Sequence, residues 1–434
     1  MWITRLILGL LILVVLALAG FLIWSSRPEI VAINPPEEPQ FDPAQIAKGA
    51  ELAAIGNCAL CHTMPGGAPY AGGRAIPTPF GTVYSSNITP DPATGIGRWS
   101  EAAFRRALRD GVARRGTYLY PAFPYDHYTR LSDGDIAALY AFQMTRVPVE
   151  RRTPRAALPF PLSIRRLVAF WDLLYLDRSP FRADPKESAA WNRGAYLAAG
   201  LGHCGDCHTP RNFLGAEETA KALSGGEAEG WQGFALNAAS PAPVPWNAEQ
   251  LFAYLSHGED AAHGAAAGPM RPVTQDLAQA TAQDVRAIAI YVASLRGPVS
   301  DAKRQRADAL AARARRPASE TAAASGDLGA LLFAGACARC HQGGPSLVPP
   351  RGIDLALSSV VSAPDPGNAI FIILDGIHPE EGQRGPSMPG FSGSFTDQQM
   401  AALLRYLRAR YSDRGPWQTL DSRIHDIRQS RERS

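Results

Sequence analysis

Lys48-Gly-Ala-Glu-Leu-Ala-Ala-Ile-Gly-Asn-Cys58-Ala-Leu-Cys61-His62 returns twice more in the chain. The later copies are Arg193-Gly-Ala-Tyr-Leu-Ala-Ala-Gly-Leu-Gly-His-Cys204-Gly-Asp-Cys207-His208 and Leu328-Gly-Ala-Leu-Leu-Phe-Ala-Gly-Ala-Cys337-Ala-Arg-Cys340-His341. Each reads as an apolar helix running into Cys-x-x-Cys-His, and such a repeat sets the architecture before other elements are assigned. Cys58, Cys61, Cys204, Cys207, Cys337 and Cys340 are all the cysteines present, so none is left for a structural disulfide. The pentapeptide is the attachment signature of c-type haem. Two thiols three residues apart on an incipient helical turn reach both vinyl groups on one porphyrin edge, and the next residue offers the iron an imidazole. His62, His208 and His341 are the expected proximal ligands of three haem c groups. Zinc ribbons pair two such motifs within about 15–20 residues, whereas here the copies lie 146 and 133 residues apart. No α/β pattern of a thioredoxin-like site is visible.

Working outward, each copy closes on a second helix opened by a capping-type signal. The signals are Ser132-Asp-Gly-Asp135, Thr281-Ala-Gln-Asp284 and Thr396-Asp-Gln-Gln399, with Phe142, Tyr291 and Tyr406 at matching positions beyond them. Between the two helices lies a shorter one stopping at Gly111, Gly258 or Gly376, glycine being the expected terminator. Twelve residues after each glycine stand Phe123, Met270 and Met388. A His/Met pair raises the iron potential and suits electron transfer, so Met270 and Met388 are the expected distal ligands. Met64 lies two residues from His62, on the wrong face, and Met400 is expected to pack. Phe123 cannot ligate. The first iron is left with Met144 at the end of the closing helix, with His127, or open. His203, His257, His263, His378 and His425 are expected as solvated or capping groups. A metal-bound histidine usually donates its other N–H to a carbonyl, and the loops holding Pro65, Pro210 and Pro345 are placed to supply it.

The 434 residues allow about three ordinary domains. With 46% hydrophobic and 19% charged residues the chain is no disordered polymer. A net charge of +3 argues against nucleic acid, which would want a basic face. Leu6 to Trp24 is one apolar run of 19 residues. As a helix it spans about 28 Å, close to the ~30 Å hydrocarbon core. Arg5 precedes it, which places the N-terminus in the cytoplasm and the rest outside. Ala17-Leu-Ala19 resembles a signal cleavage site, but Phe21-Leu-Ile-Trp24 carries the run past it, favouring a retained anchor. The expected location is the inner membrane, facing the periplasm.

Further strings then become legible. Thr78-Pro-Phe-Gly-Thr-Val-Tyr-Ser-Ser-Asn-Ile-Thr-Pro-Asp91, Thr94-Gly-Ile-Gly97, Leu119-Tyr-Pro-Ala-Phe-Pro-Tyr125, Trp191-Asn-Arg-Gly-Ala-Tyr-Leu197, Cys207-His-Thr-Pro-Arg211 and Ala265-Ala-Ala-Gly-Pro-Met270 resemble the three-haem cytochrome c subunits of bacterial membrane-bound dehydrogenases. The resemblance runs from about residue 45 to about 410. It implies an all-α fold of three tandem class I cytochrome c domains behind an N-terminal transmembrane helix. It also implies electron transfer from a dehydrogenase subunit to quinone or to a respiratory cytochrome or oxidase. It favours Met144 on the first iron. The second repeat lacks a clear Asn-Ile-Thr-Pro string. Leu158-Pro-Phe-Pro161, Phe170-Trp-Asp-Leu-Leu174 and Met144-Thr-Arg-Val-Pro148 look more like members serving a molybdenum hydroxylase with an iron-sulfur subunit, which oxidise aldehydes or N-heterocycles. The expected order is anchor or signal 1–27, linker 28–44, domain 45–150, linker 151–188, domain 189–297, linker 298–326, domain 327–412 and a solvated basic tail 413–434. The alternatives are a cytochrome subunit of a terminal oxidase, and a haem sensor or peroxidase with an open first iron. No catalytic triad or carboxylate pair stands out, so substrate chemistry is expected on the partner.

Overall fold

The computed structural model describes residues 2–37, 40–314, 326–341, 355–379 and 386–432. The chain divides into two compact units, Met1–Arg182 and Ala183–Ser434. Both are built mainly from helices, with only small two-stranded sheets among the described residues.

The first unit begins with α1, Trp2–Trp24, a helix with no buried residue. It is long and apolar enough to cross a membrane. Next come α2 (Pro43–Ile55), α3 (Cys58–His62), the hairpin β1 (Ala75–Thr78) and β2 (Gly81–Tyr84), α4 (Glu101–Asp110), α5 (Tyr125–Tyr128), α6 (Asp133–Met144) and α7 (Val168–Tyr175). Asp42 caps α2 by accepting from Ala44 N, and Pro43 occupies the first turn, where its missing N–H costs nothing. Ser132 caps α6 by accepting from Asp135 N at 3.1 Å. The two helices cross at Gly49, where a Cβ would stand 2.0 Å from the Ala138 carbonyl oxygen and 2.6 Å from Phe142 Cβ. Only glycine permits that approach, which lets Leu52, Ile55, Ile136 and Leu139 close the core.

The second unit repeats the device twice. Its first part holds α8 (Ala189–Ala199), α9 (Gly205–His208), β3 (Gly226–Ala228) and β4 (Trp231–Gly233), α10 (Ala248–His257), β5 (Glu259–Asp260) and β6 (Gly264–Ala265), α11 (Met270–Leu277) and α12 (Ala282–Ser294). At Gly194 a Cβ would fall 1.9 Å from Ala287 O and 2.9 Å from Tyr291 Cβ. Arg193 clamps the crossing by donating to both carboxylate oxygens of Asp284, at 2.9 and 2.7 Å. After α13 (Asp301–Ala314) follow α14 (Leu328–Ala336), α15 (Ala338–His341), α16 (Ser359–Ser362), α17 (Gly367–Asp375), α18 (Asp397–Tyr411) and α19 (Leu420–Glu432). Here a Cβ at Gly329 would fall 2.2 Å from Ala402 O and 2.8 Å from Tyr406 Cβ. The aromatics at matching sequence positions are thus the residues that flank each crossing.

The described residues are mainly helical with little sheet, as expected; three short antiparallel hairpins are inserted among them, two between a motif helix and the glycine-terminated helix. One expectation is corrected. The tail is not a solvated end. Trp417, Leu420, Ile424 and Ile427 are buried in the last core with Phe333, Met400 and Leu404, so the apolar stripe of α19 outweighs its arginines. Those arginines spread along its outer side, with Arg428 donating to the carbonyls of Ser392 and Phe395 and pairing with Asp397. The linker 298–326 contains α13, whose Leu310 joins the same core.

Candidate haem sites

Each described motif is a single turn of helix following a tight entry. Asn57, before Cys58, and His203, before Cys204, both take positive φ, 48° and 33°. Asn and His are among the residues that tolerate this region. The turn redirects the chain so that α3 presents Cys58 and Cys61 on one face with His62 at its end. The third copy has Ala336 at that position and bends at Cys337 itself (φ −122°, ψ −32°). No disulfide joins the six thiols. Burial pushes Cys204 and Cys337 up to about 11 and Cys207 to about 12.

The imidazoles are oriented by the hairpins. His62 Nδ1 lies 2.7 Å from the carbonyl oxygen of Ser86, two residues beyond β2. His208 Nδ1 lies 2.6 Å from that of Phe234, immediately after β4. Carbonyls only accept, so Nδ1 carries the proton and Nε2 is left as the metal-binding atom. Desolvation lowers the basicity of both rings against the raising effect of those hydrogen bonds, which keeps them neutral. The prolines expected to supply the carbonyls do not: Pro65 and Pro210 are bypassed in favour of residues 24 and 26 positions downstream of each histidine, and Pro345 lies outside the described residues.

The distal candidates occupy three kinds of position. Met144 is the buried last residue of α6. Two residues earlier, Phe142 sits edge-on to Tyr70, 5.9 Å between ring centres, in the loop that follows His62. Met270 is the half-buried first residue of α11. Its loop is tied to the second motif through β4. Gly268 lies against the Trp231 indole, and Gly233, two residues along, lies against the Cys207 carbonyl and the His208 ring. Met388 pairs with Ile377 through two backbone hydrogen bonds of 2.9 and 2.7 Å, and it packs on the same core as Cys337 and Ala338. Phe123 is half-buried against Tyr128, and His127 is buried. The Met64 sulfur faces the Arg151 guanidinium, and Met400 is fully buried in the third core.

One histidine departs from its expected solvated role. His263 is buried, stacked on Trp246 with ring centres 3.5 Å apart, and burial pushes it down to about 3. On the same Trp246 lies Arg296, whose Nε and Nη1 are buried and make no hydrogen bond among the described residues. Its charge reaches His208, and desolvation brings it down to about 10. A half-buried guanidinium with two unpaired nitrogens, close enough to act on a motif histidine, wants a carboxylate. A haem propionate fits that need, and the paired cysteines and neutral imidazoles fit the same group.

The matched family is cytochrome c, over residues 326–410. Over 417 residues the chain is 45% identical to a nicotinate dehydrogenase subunit of Pseudomonas putida, covering 95% of this chain and 34% of that one. It is 35% identical over 390 residues to the fructose dehydrogenase cytochrome subunit of Gluconobacter japonicus, covering 85% and 79%. It is 35% identical over 398 residues to the gluconate 2-dehydrogenase cytochrome c subunit of Pantoea cypripedii, covering 86% and 87%. The chain belongs to the cytochrome c subunits of membrane dehydrogenases. Membership means covalently bound haem c. The chain spans about a third of the length of the nicotinate dehydrogenase protein and most of the length of the other two.

Proposed function

We propose that this chain is a three-haem electron carrier tethered to the outer face of the cytoplasmic membrane. It takes electrons from a dehydrogenase partner and passes them to quinone or to a respiratory cytochrome or oxidase. The three domains are residues 45–150, 189–297 and 327–412. Cys58 and Cys61, Cys204 and Cys207, and Cys337 and Cys340 would hold the three groups, with His62, His208 and His341 on the proximal side. Met270 and Met388 are the distal ligands of the second and third, and Met144 that of the first. Haem supplies the one-electron change at iron; the protein sets its ligation, burial and charge. The hairpin carbonyls fix the imidazole tautomer, Arg296 supplies positive charge near the second site, and the paired helices exclude water.

One observation carries the reading. The motif turn, the glycine crossing and the carbonyl behind Nδ1 recur at His62 and again at His208 with the same geometry. A single haem domain with decorations would not reproduce them. The test is haem content per polypeptide, by pyridine haemochrome and intact mass. Three haems are expected, and removing Cys204 and Cys207 together should leave two. A wild-type value of one would overturn the proposal.

For the partner, the relative at 45% identity is named for the oxidation of nicotinate, an N-heterocycle. That supports a molybdenum hydroxylase with an iron-sulfur subunit. Washed membranes from cells grown on molybdate should show haem c reduction when an N-heterocycle is added. Growth on tungstate should abolish it. Undiminished reduction after tungstate would move the assignment to a quinoprotein or flavoprotein dehydrogenase.

A further inference from the structure

The segment after the first site exposes an unusual run of large apolar side chains: Phe160, Leu162, Ile164, Phe170, Leu173 and Leu174. Single exposed apolar residues are ordinary, but a contiguous set marks an interaction surface. In α7, Phe170, Leu173 and Leu174 stand at i, i+3 and i+4 and share one face, while Val168, Ala169 and Asp172 are buried. The segment is held firmly in place. Asp172 accepts from the buried Tyr125 hydroxyl at 2.7 Å, Arg165 donates to Tyr118 O at 2.9 Å, and Tyr120 donates to Leu162 O at 3.2 Å.

The same segment is joined to the end of α1. Phe21 and Phe170 stack with centres 4.7 Å apart and planes within 4°. Trp24 lies 5.7 Å from the same ring, and Arg166 donates to Leu22 O at 3.1 Å. Those contacts fix a depth. Trp at the end of a membrane helix marks the headgroup level, and Phe21, three residues earlier, is about 4.5 Å further in. A ring stacked on Phe21 therefore lies at the depth of interfacial helices, about 5–10 Å into the headgroup boundary. Arg27 and Arg166 stand beside it, suited to anionic headgroups.

We propose that residues 160–174 form a second, monotopic membrane contact, lying in the outer leaflet of the bilayer that α1 enters. This rests on the reading of α1 as a retained anchor. The platform would hold the first site at a set height above the lipid, where a single helix alone would let it swing.

The test uses the intact, haem-loaded chain in vesicles of phosphatidylethanolamine and phosphatidylglycerol, doped with a phospholipid bearing a diazirine midway along one acyl chain. After illumination, adducts are mapped by peptide mass spectrometry. They are expected on 160–174 as well as on 6–24. Replacing Leu173→Glu together with Leu174→Glu should reduce the first set several-fold and leave the second unchanged, with an unaltered haem spectrum showing that the fold survives. Adducts confined to 6–24 would overturn the platform and leave the patch to a protein partner. If the mature chain begins after Ala19 yet 160–174 is labelled, the anchor reading falls and the platform stands. If neither region is labelled, both fall.

Discussion

The first and second motif regions share a proximal half and differ in the distal half. Behind His62 and His208 the same hairpin delivers the same kind of carbonyl, 2.7 and 2.6 Å away. At the position twelve residues after the glycine helix stop, the first region carries Phe123 where the second carries Met270. The first region buries a carboxylate, Asp172, within its unit, whereas the second buries His263 and half-buries Arg296, two of whose nitrogens make no hydrogen bond among the described residues. The proximal side follows from spacing within one short stretch and repeats faithfully. The distal candidates come from separate segments downstream, and there the two copies differ in sequence.

The largest effect should come from the feature the two regions share. Gly49→Val and Gly194→Val each drive a side chain into a backbone carbonyl, and each should cost more than about 3 kcal/mol. Thermal unfolding followed by far-UV circular dichroism would check this. A tolerated variant in one region alone would show that the crossings are not equivalent.

The distal difference can be broken next. Met144→Leu should remove a methionine–iron charge-transfer band and open the first ferrous haem to carbon monoxide. Met270→Leu should do the same at the second. If Met144→Leu changes neither signal, the first iron is held by His127 or is open in the native protein.

Opposite pH slopes should then separate the regions. Burial raises Asp172 to about 6, so between about pH 4 and 6 the unfolded chain ionises first. The stabilisation from the protonated acid is therefore lost as pH rises through that window. Asp172→Asn should stabilise its region by roughly 2 kcal/mol at pH 7 and by nothing near pH 3. His263 is pushed the other way, to about 3, so below about pH 6.5 the unfolded chain takes up the proton and stability falls with acid. His263→Phe, which keeps the stack on Trp246, should flatten that loss. Melting temperatures across pH 3–8, with no change of slope in either variant, would count against both assignments.

The smallest effect concerns charge. Removing the Arg296 guanidinium beside the second site, with Arg296→Gln, should lower one of the haem potentials by on the order of 50 mV. Spectroelectrochemical titration resolves the haem potentials, and an unchanged set would remove Arg296 from the site.

What was legible in the sequence divides along the same line. The motif residues, the helix caps at Ser132, Thr281 and Thr396, and the helix stops are local, and the structure has them where the pattern put them. The carbonyl partners were misplaced because Ser86 and Phe234 reach their histidines only after a hairpin folds back, and no local periodicity announces a three- or four-residue strand. The tail was misread because its charge outnumbers its apolar stripe in composition, though not in packing. Arg296 and His263 carried no signal beyond their identity: only the fold brings them to one indole.

The second and third helix pairs meet within one unit through the tip of a hairpin. Gln232 and Asn368 exchange two hydrogen bonds of 2.8 and 2.9 Å, and Trp231 stacks on Phe371 with centres 4.9 Å apart. The hairpin that aims one imidazole is therefore also the hinge pin of the next module. A residue inserted between β3 and β4 would shift a ligand and a joint at once. In the descent of such chains, length changes should be purged from that turn and gather in the connector before α14.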